Sequence, residues 1–245
     1  MISNRQSQQM ENNLESTKII RRENIKAGLS TFVNQVYNWM TLALLITGLT
    51  AYVVADTPAL VMAILSNKLL FYGLLIGELL LVGYLSGAIN KLSAVNATAL
   101  FLVYSAMNGL TFSVIFLIYT AESLAGTFFI CAGTFAAMSL YGYYTKKDLT
   151  SIGNIAFMLL IGIIIASIAN FFMNSEALYW IITYLGVFIF IGLIAYDTQK
   201  IKRIYHEGFE SEETEKKGAI LGALRLYLDF INLFLFLLRI FGRRK

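Results

Sequence analysis

The sequence predicts an all-α integral membrane protein with seven transmembrane helices. Its 245 residues are 58% hydrophobic and only 14% charged, whereas soluble domains carry about 25% charged residues. Seven apolar stretches are long enough to cross a bilayer, which takes about 20 helical residues. They occupy residues 36–55, 69–89, 97–119, 123–144, 153–173, 177–198 and 219–241.

The polar residues 1–34, with five Lys/Arg against three Glu, predict a mostly disordered cytoplasmic tail ahead of a transmembrane domain over residues 35–245. No cleavable signal precedes the first span. The sequence Asp56-Thr57-Pro58 ends that span, because proline disfavours a helical conformation in the residue before it.

The basic residues predict the orientation. The tail and the loops after the second, fourth and sixth spans hold thirteen Lys/Arg, while the opposite loops hold only Lys68. Basic loops stay in the cytoplasm, so the N-terminus is predicted to be cytoplasmic. Seven full spans would place Arg243, Arg244 and Lys245 on the other side, against the same rule. The last segment therefore either crosses fully or re-enters and returns.

Composition excludes several classes of site. A single cysteine, Cys131, rules out a disulfide framework, and with the single histidine, His206, it rules out sites built from several such ligands. The net charge of +4 is small and confined to loops, so no nucleic-acid partner is expected.

The last apolar segment carries a polar seam. Its members recur at steps of three or four and so share one helical face. They are Gly218, Gly222, Arg225, Asp229, Asn232 and Phe236. An ion at mid-helix costs about 2.5–3.5 kcal/mol to insert into a membrane, so this face is predicted to point into a surrounding bundle.

Four ionisable residues fall within or at the ends of the spans. They are Glu78, Asp197, Arg225 and Asp229. The simplest interpretation of Arg225 is a local ion pair with Asp229, four residues later on the same helix. Glu78 has no partner in its own helix, so it is predicted to face the interior, with Arg225 or Lys91 as partner.

Asp197 ends the sixth predicted span and has two interpretations. It could pair with Lys200 or cap the helix at the membrane interface. If the sixth helix dips inward, it could instead meet Asp229. Two carboxylates in contact cannot both ionise cheaply, so such a pair would titrate as a unit and act as a proton switch. Its oxygens could also interact with Ca²⁺.

Two aspartates on consecutive spans also raise an intramembrane aspartyl protease. Tyr196-Asp197 matches one half of that family's signature, but Leu226-Tyr-Leu-Asp229 lacks the Gly-x-Gly-Asp of the other half. We therefore predict that the protein is not an enzyme.

Three motifs resemble the Bax inhibitor family, in particular its bacterial inner-membrane members. They are Leu140-Tyr-Gly-Tyr-Tyr-Thr-Lys-Lys-Asp-Leu, Tyr-Asp-Thr-Gln-Lys-Ile over residues 196–201, and Gly-Ala-Leu-x-Leu-Tyr-Leu-Asp-Phe-Ile-Asn-Leu-Phe over residues 222–234. The resemblance runs from the first span to the C-terminus. It implies six helices around a central C-terminal helix in a bacterial inner membrane.

The same resemblance implies a pH-sensitive Ca²⁺ leak controlled by an aspartate pair that maps onto Asp197 and Asp229. Glu78 maps onto a family glutamate, and Lys91 is the cation nearest to a family arginine that is missing here. With Arg225 and Asn232 these residues form the predicted polar lining or latch. Ca²⁺ would be transported or bound, with no other cofactor. Some relatives instead modulate a membrane-bound protease, which is the alternative prediction.

Overall fold

The computed structural model describes the backbone of residues 2–245 and the side chains of residues 27–64 and 66–245. Over that part of the chain all regular structure is helical, apart from an isolated bridge between Tyr119 and Arg244. The helices are α1 (Ile2–Ala55), α2 (Pro58–Ser66), α3 (Lys68–Ala88), α4 (Ala94–Ile118), α5 (Ala121–Tyr144), α6 (Thr150–Met173), α7 (Glu176–Glu207) and α8 (Glu212–Phe241), with a 3₁₀ turn over Ile89–Lys91. The predicted all-α class is confirmed.

Seven of the helices described, all except α2, are long and apolar enough to cross a membrane. Short polar side chains set where most of them begin, because each accepts a hydrogen bond from an otherwise unpaired backbone N–H. These caps are Asn67 for α3, Ser93 for α4, Thr120 for α5, Ser175 for α7 and Ser211 for α8. The chain is therefore a multi-pass membrane protein whose spans agree with those predicted.

The short helix α2 was not predicted. It begins at Pro58, and proline is well suited to the first position of a helix, where its missing N–H would be unpaired anyway. The same proline that ends the first span thus starts a further apolar helix before α3.

The helix that carries the first span extends back past the predicted boundary at residue 34. Phe32 is buried, with its ring 5.5 Å from that of Tyr205 and 5.2 Å from that of Phe209. Packing against α7 therefore begins before residue 35. The side chains of residues 1–26 lie outside the described part, and the cytoplasmic tail stays a prediction.

Helix α8 is the centre of the bundle. In its most apolar stretch 61% of the residues are buried, against at most 39% in any other described span. Over the described residues it packs against α1, α4, α5 and α7, while α3 packs mainly on α4 and α6 on α7. A helix that is buried all round is expected to be apolar on every face, so the polar residues of α8 require partners.

Both ends of α8 are fixed by hydrogen bonds to loops on opposite sides of the bundle. Near its start, Glu213 Oε1 accepts from Ala94 N at 2.7 Å. Beyond its end, the Arg243 carbonyl accepts from Thr120 N at 3.0 Å. The last segment therefore crosses the whole bundle rather than re-entering. We call the side with the α3–α4, α5–α6 and α7–α8 connections the basic end, and the other side the C-terminal end.

Candidate functional site

The polar seam of α8 contacts α7 toward both ends of the helix pair. Toward the basic end, a Cβ added at Gly222 would lie 3.2 Å from Ile201 Cγ1, so the helices approach closely there. Toward the C-terminal end, the ring of Phe236 stacks on that of Phe190 with centroids 5.9 Å apart. Between these contacts, the charged residues of the seam face the middle of α7.

Asp197 and Asp229 meet at this interface, where each carboxyl lies close enough to act on the other. Both residues are buried, with 8% and 4% of their surface exposed. No inward dip of the helix is needed, because α7 continues to Glu207. The ten residues beyond Asp197 place it about 15 Å from the end of the helix. We call the two carboxyls the dyad.

Two close helix contacts hold α7 beside the dyad. A Cβ at Gly142 on α5 would fall on the Ala195 carbonyl oxygen, and one at Gly153 on α6 would fall on the ring of Tyr196. Only glycine leaves room for these approaches. Because Ala195 and Tyr196 directly precede Asp197, the two glycines fix the rotation of α7 that points this carboxyl at α8.

The dyad has few other hydrogen-bond donors. Within the described part of the chain, no N–H or hydroxyl group donates to Asp197 Oδ1 or Asp229 Oδ2. An ionised carboxylate only accepts hydrogen bonds, so contact between two carboxyls requires a proton on one of them.

Arg225 supplies the positive charge of the site. Its Nη1 lies 3.6 Å from Asp197 Oδ1, so the ion pair joins α8 to α7 rather than lying within α8 as its simplest interpretation predicted. Lys200, three residues after Asp197, is the other cation that acts on this carboxyl. The side chain of Arg225 remains 35% exposed and that of Asp197 11%, so the cation lies nearer to the surface than the carboxyl.

Glu78 on α3 faces the bundle interior, as predicted, but its partner is neither Arg225 nor Lys91. Thr111 on α4 donates its hydroxyl to Glu78 Oε1 at 3.0 Å. Lys91 is exposed at the end of the 3₁₀ turn. Among the described side chains neither Glu78 nor Lys91 takes part in a salt bridge, and the role of Lys91 in the latch stays a prediction.

A second polar group on α8 was not found from the sequence. The Tyr227 hydroxyl lies 2.8 Å from Thr47 Oγ1 on α1, and this oxygen lies 2.8 Å from the Ser105 carbonyl on α4. Tyr227 has no exposed surface. We call Thr47, Ser105 and Tyr227 the hydroxyl cluster. A tyrosine inside an apolar span, away from the polar seam, was the signal that could have revealed it.

Asn232, the remaining polar residue of the seam, donates to the Leu228 carbonyl of its own helix at 2.8 Å. Its polar group is thus paired without a contact to α7. The described residues contain no group of three or more His, Cys, Asp or Glu side chains that could hold a metal ion. Ca²⁺ takes six to eight oxygen ligands, so two carboxyls beside a guanidinium fit a shared proton better than a resident Ca²⁺.

Comparisons with known proteins cover almost the whole chain. The model of the family described as inhibitor of apoptosis-promoting Bax1 matches residues 29–245. The inner membrane protein YbhL of Escherichia coli strain K12 is 54% identical over 90% of this chain and 94% of its own length. A protein of Borreliella burgdorferi is 46% identical over 87% of this chain and 92% of its own length. Protein RP147 of Rickettsia prowazekii is 40% identical over 94% of this chain and 96% of its own length.

Proposed function

The chain belongs to the Bax inhibitor family, and on that premise we propose that it is a pH-sensitive leak pathway for cations in a bacterial inner membrane. Ca²⁺ would be the transported ion, and the dyad would be the gate. The proposal rests on one observation: Asp197 and Asp229, both buried, lie side by side where α8, the most buried of the described spans, packs against α7. The basic end would face the cytoplasm, because basic loops are retained there.

Counting charges gives the direction of the gate. With one shared proton, the dyad and Arg225 have no net charge. Loss of that proton leaves two carboxylates in contact against one guanidinium, a net charge of −1 in a site where the carboxyls are almost fully buried. An uncompensated buried charge costs several kcal/mol. Separation of α7 from α8 relieves this repulsion and lets water reach the carboxylates. Rising pH therefore opens the pathway.

Separation of α7 from α8 would also expose the carboxylate ligands that a cation pathway needs. Two hydrated carboxylates facing each other offer the hard oxygen ligands that Ca²⁺ prefers. Since the ion is transported rather than retained, the site has to bind it weakly, and Arg225 lowers the attraction by one charge. Glu78 and its partner Thr111 would line the polar interior between α3 and α4, apart from the sensor.

Calcium flux into liposomes that contain the full chain tests the proposal. We expect flux to increase from pH 6 to pH 8, and the double variant Asp197→Asn with Asp229→Asn to lose that increase, because neutral amides cannot release a proton. The matched control is Asp56→Asn with Asp148→Asn, which makes the same change at two exposed positions and should keep the pH response. Absence of flux at every pH would overturn the pathway, and an unchanged response in the dyad variant would overturn the sensor.

A further inference from the structure

A groove runs along the outside of the bundle between α1 and α5. The two helices do not pack closely against each other over the described residues, and α8 forms the floor between them. Three cavities of about 440, 560 and 490 Å³ follow one another from the basic end toward the C-terminal end. Tyr37 and Ser139 line both the first and the second, and Gly48 and Phe230 line both the second and the third. The cavities thus form one continuous groove.

We propose that this groove is a binding site for a membrane phospholipid, with one acyl chain along the floor and an anionic headgroup at the basic end. This proposal is independent of the ion pathway. It depends on the continuity of the groove, on its apolar lining and on the charge at its mouth.

The body of the groove suits an acyl chain. The two inner cavities lie within the membrane-spanning part of α1, α5 and α8 and are lined mainly by apolar groups such as Leu44, Phe128 and Phe230. Each has a volume within the range of about 300–1,000 Å³ that small-ligand sites occupy. The hydroxyl of Thr47, which also lines the groove, already bonds to Tyr227, so a hydrocarbon chain does not leave this hydroxyl unpaired.

The mouth of the groove differs from its body. The cavity at the basic end is lined by hydroxyl and amide groups, including Ser30, Asn34 and Tyr143. Lys202 lies beside it and donates to the Tyr143 carbonyl at 2.7 Å. The exposed Lys146 and Lys147 follow directly on from the end of α5. Cations at this level complement a phosphate group, which binds Lys as a point charge.

The distribution of polar groups favours a lipid over a transmembrane helix of another protein. A partner helix would present apolar side chains for about 30 Å, the full hydrocarbon thickness. Here polar groups and lysines lie at the basic end and mainly apolar groups line the two cavities that follow, which is the order of groups along a phospholipid. The polar cavity with Asp56 and Lys245 at the C-terminal end lies beyond these three. A lipid in this groove contacts α8 at Phe230, directly beside Asp229.

Photocrosslinking can test the site, because its floor is buried whereas the outer face of α6 is exposed. The full chain is placed in vesicles of phosphatidylcholine and phosphatidylglycerol that contain a phosphatidylglycerol with a diazirine at the end of one acyl chain. Phe230 is only 4% exposed, whereas Phe171 and Phe172 on α6 are 78% and 77% exposed and report bulk lipid. We expect labelling of the peptide that carries Phe230 as well as of α6.

Gly48→Trp fills the groove and should reduce labelling of the Phe230 peptide to background while leaving that of α6 unchanged. Gly162→Trp is the matched control on α6. A Cβ at either glycine meets no atom within 4 Å, so both positions have room for a side chain. Unchanged labelling of α6 shows that the variant is folded, and the smaller Gly48→Leu should give the same loss.

The headgroup is tested with Lys146→Gln combined with Lys147→Gln. We expect the wild-type floor to be labelled more by the phosphatidylglycerol probe than by a phosphatidylcholine probe, and the double variant to lose that preference. Background labelling at Phe230 in the wild type, or labelling that Gly48→Trp leaves unchanged, would overturn the site. Crosslinks from groove residues to a second copy or another protein in place of lipid would overturn the proposed occupant, and equal labelling by both probes would overturn the headgroup assignment.

Discussion

The dyad and the hydroxyl cluster occupy nearly opposite faces of α8, since Tyr227 lies two residues, or about 200° of helical rotation, from both Arg225 and Asp229. They differ in how their polar atoms are satisfied. The Tyr227 hydroxyl pairs with Thr47, and both groups are neutral. In the dyad, one oxygen of each carboxyl lacks a conventional donor, and its contact depends on a proton.

The hydroxyl cluster is therefore a contact of α8 that does not depend on pH, whereas the dyad is proposed to be a contact that switches with pH. A neutral, hydrogen-bonded cluster holds α8 against α1 and α4 at every pH between 6 and 8, because none of its groups has to change charge. In the proposed gate, the interface with α7 changes charge when a single proton leaves. We therefore expect α7 to move relative to α8 while α8 stays attached to α1 and α4.

The largest stability effect is expected from Arg225→Met, which removes the cation and leaves the dyad charge without a partner. Breaking a fully buried ion pair costs about 3–5 kcal/mol. Because Arg225 is 35% exposed, we expect a smaller loss of about 2 kcal/mol in the free energy of unfolding, and a flux response shifted to higher pH. Reversible unfolding in detergent and liposome flux measure the two effects. Arg203→Met is the control, since its pair with Glu207 is exposed and 4.0 Å long. An equal loss there would show that Arg225 is no more than a surface charge.

The next effect is expected from Tyr227→Phe. Loss of the hydroxyl removes one hydrogen bond between α8 and α1, worth about 1 kcal/mol, while the ring keeps its packing. Unfolding of Tyr227→Phe, Thr47→Val and their combination forms a double-mutant cycle, which should give a coupling energy of about 0.5–1.5 kcal/mol. The pH response of flux should not change. A shifted response would show that the hydroxyl cluster belongs to the gate, and the two faces of α8 would then not be separable.

The sequence was sufficient for the spans, because insertion cost and helical periodicity act locally. It left the meeting of Asp197 with Asp229 as one of two interpretations, because a contact between two helices depends on their packing. It was insufficient for the partners of the single ions. By charge alone, Arg225 could form an ion pair with the aspartate four residues away on its own helix or with the one across the interface. Only the packing of the helices decides between the two. The same holds for Glu78, whose partner Thr111 is an ordinary residue in an apolar span. The short helix α2 was missed because Pro58 was interpreted only as a helix end.

Glu78→Gln is expected to have a smaller effect than Tyr227→Phe, because the amide oxygen can still accept from Thr111. We expect a change in the free energy of unfolding below about 1 kcal/mol and no change in the pH response of flux. Glu78→Leu, which leaves the Thr111 hydroxyl without this acceptor, should be more destabilising. If Glu78→Gln flattens the pH response, Glu78 is part of the sensor, and the dyad alone does not account for the gate.

The smallest effect is expected at Asp148, a titratable residue outside the spans that does not switch in this range. Hydrogen bonds from the Thr150 hydroxyl at 2.6 Å and from the Thr150 backbone N–H at 2.9 Å lower the pKa of Asp148. A carboxyl whose pKa is lowered by folding stabilises the protein above its unfolded pKa and loses that contribution only as pH falls through the lower, folded value. Asp148→Asn should therefore change stability equally at pH 6 and pH 8. The dyad variant should have different effects at the two pH values, since in the proposed gate the dyad loses its proton between them. If the dyad variant, like Asp148→Asn, changes the free energy of unfolding by the same amount at pH 6 and at pH 8, the dyad does not titrate in this range. Its contact would then be as independent of pH as the hydroxyl cluster.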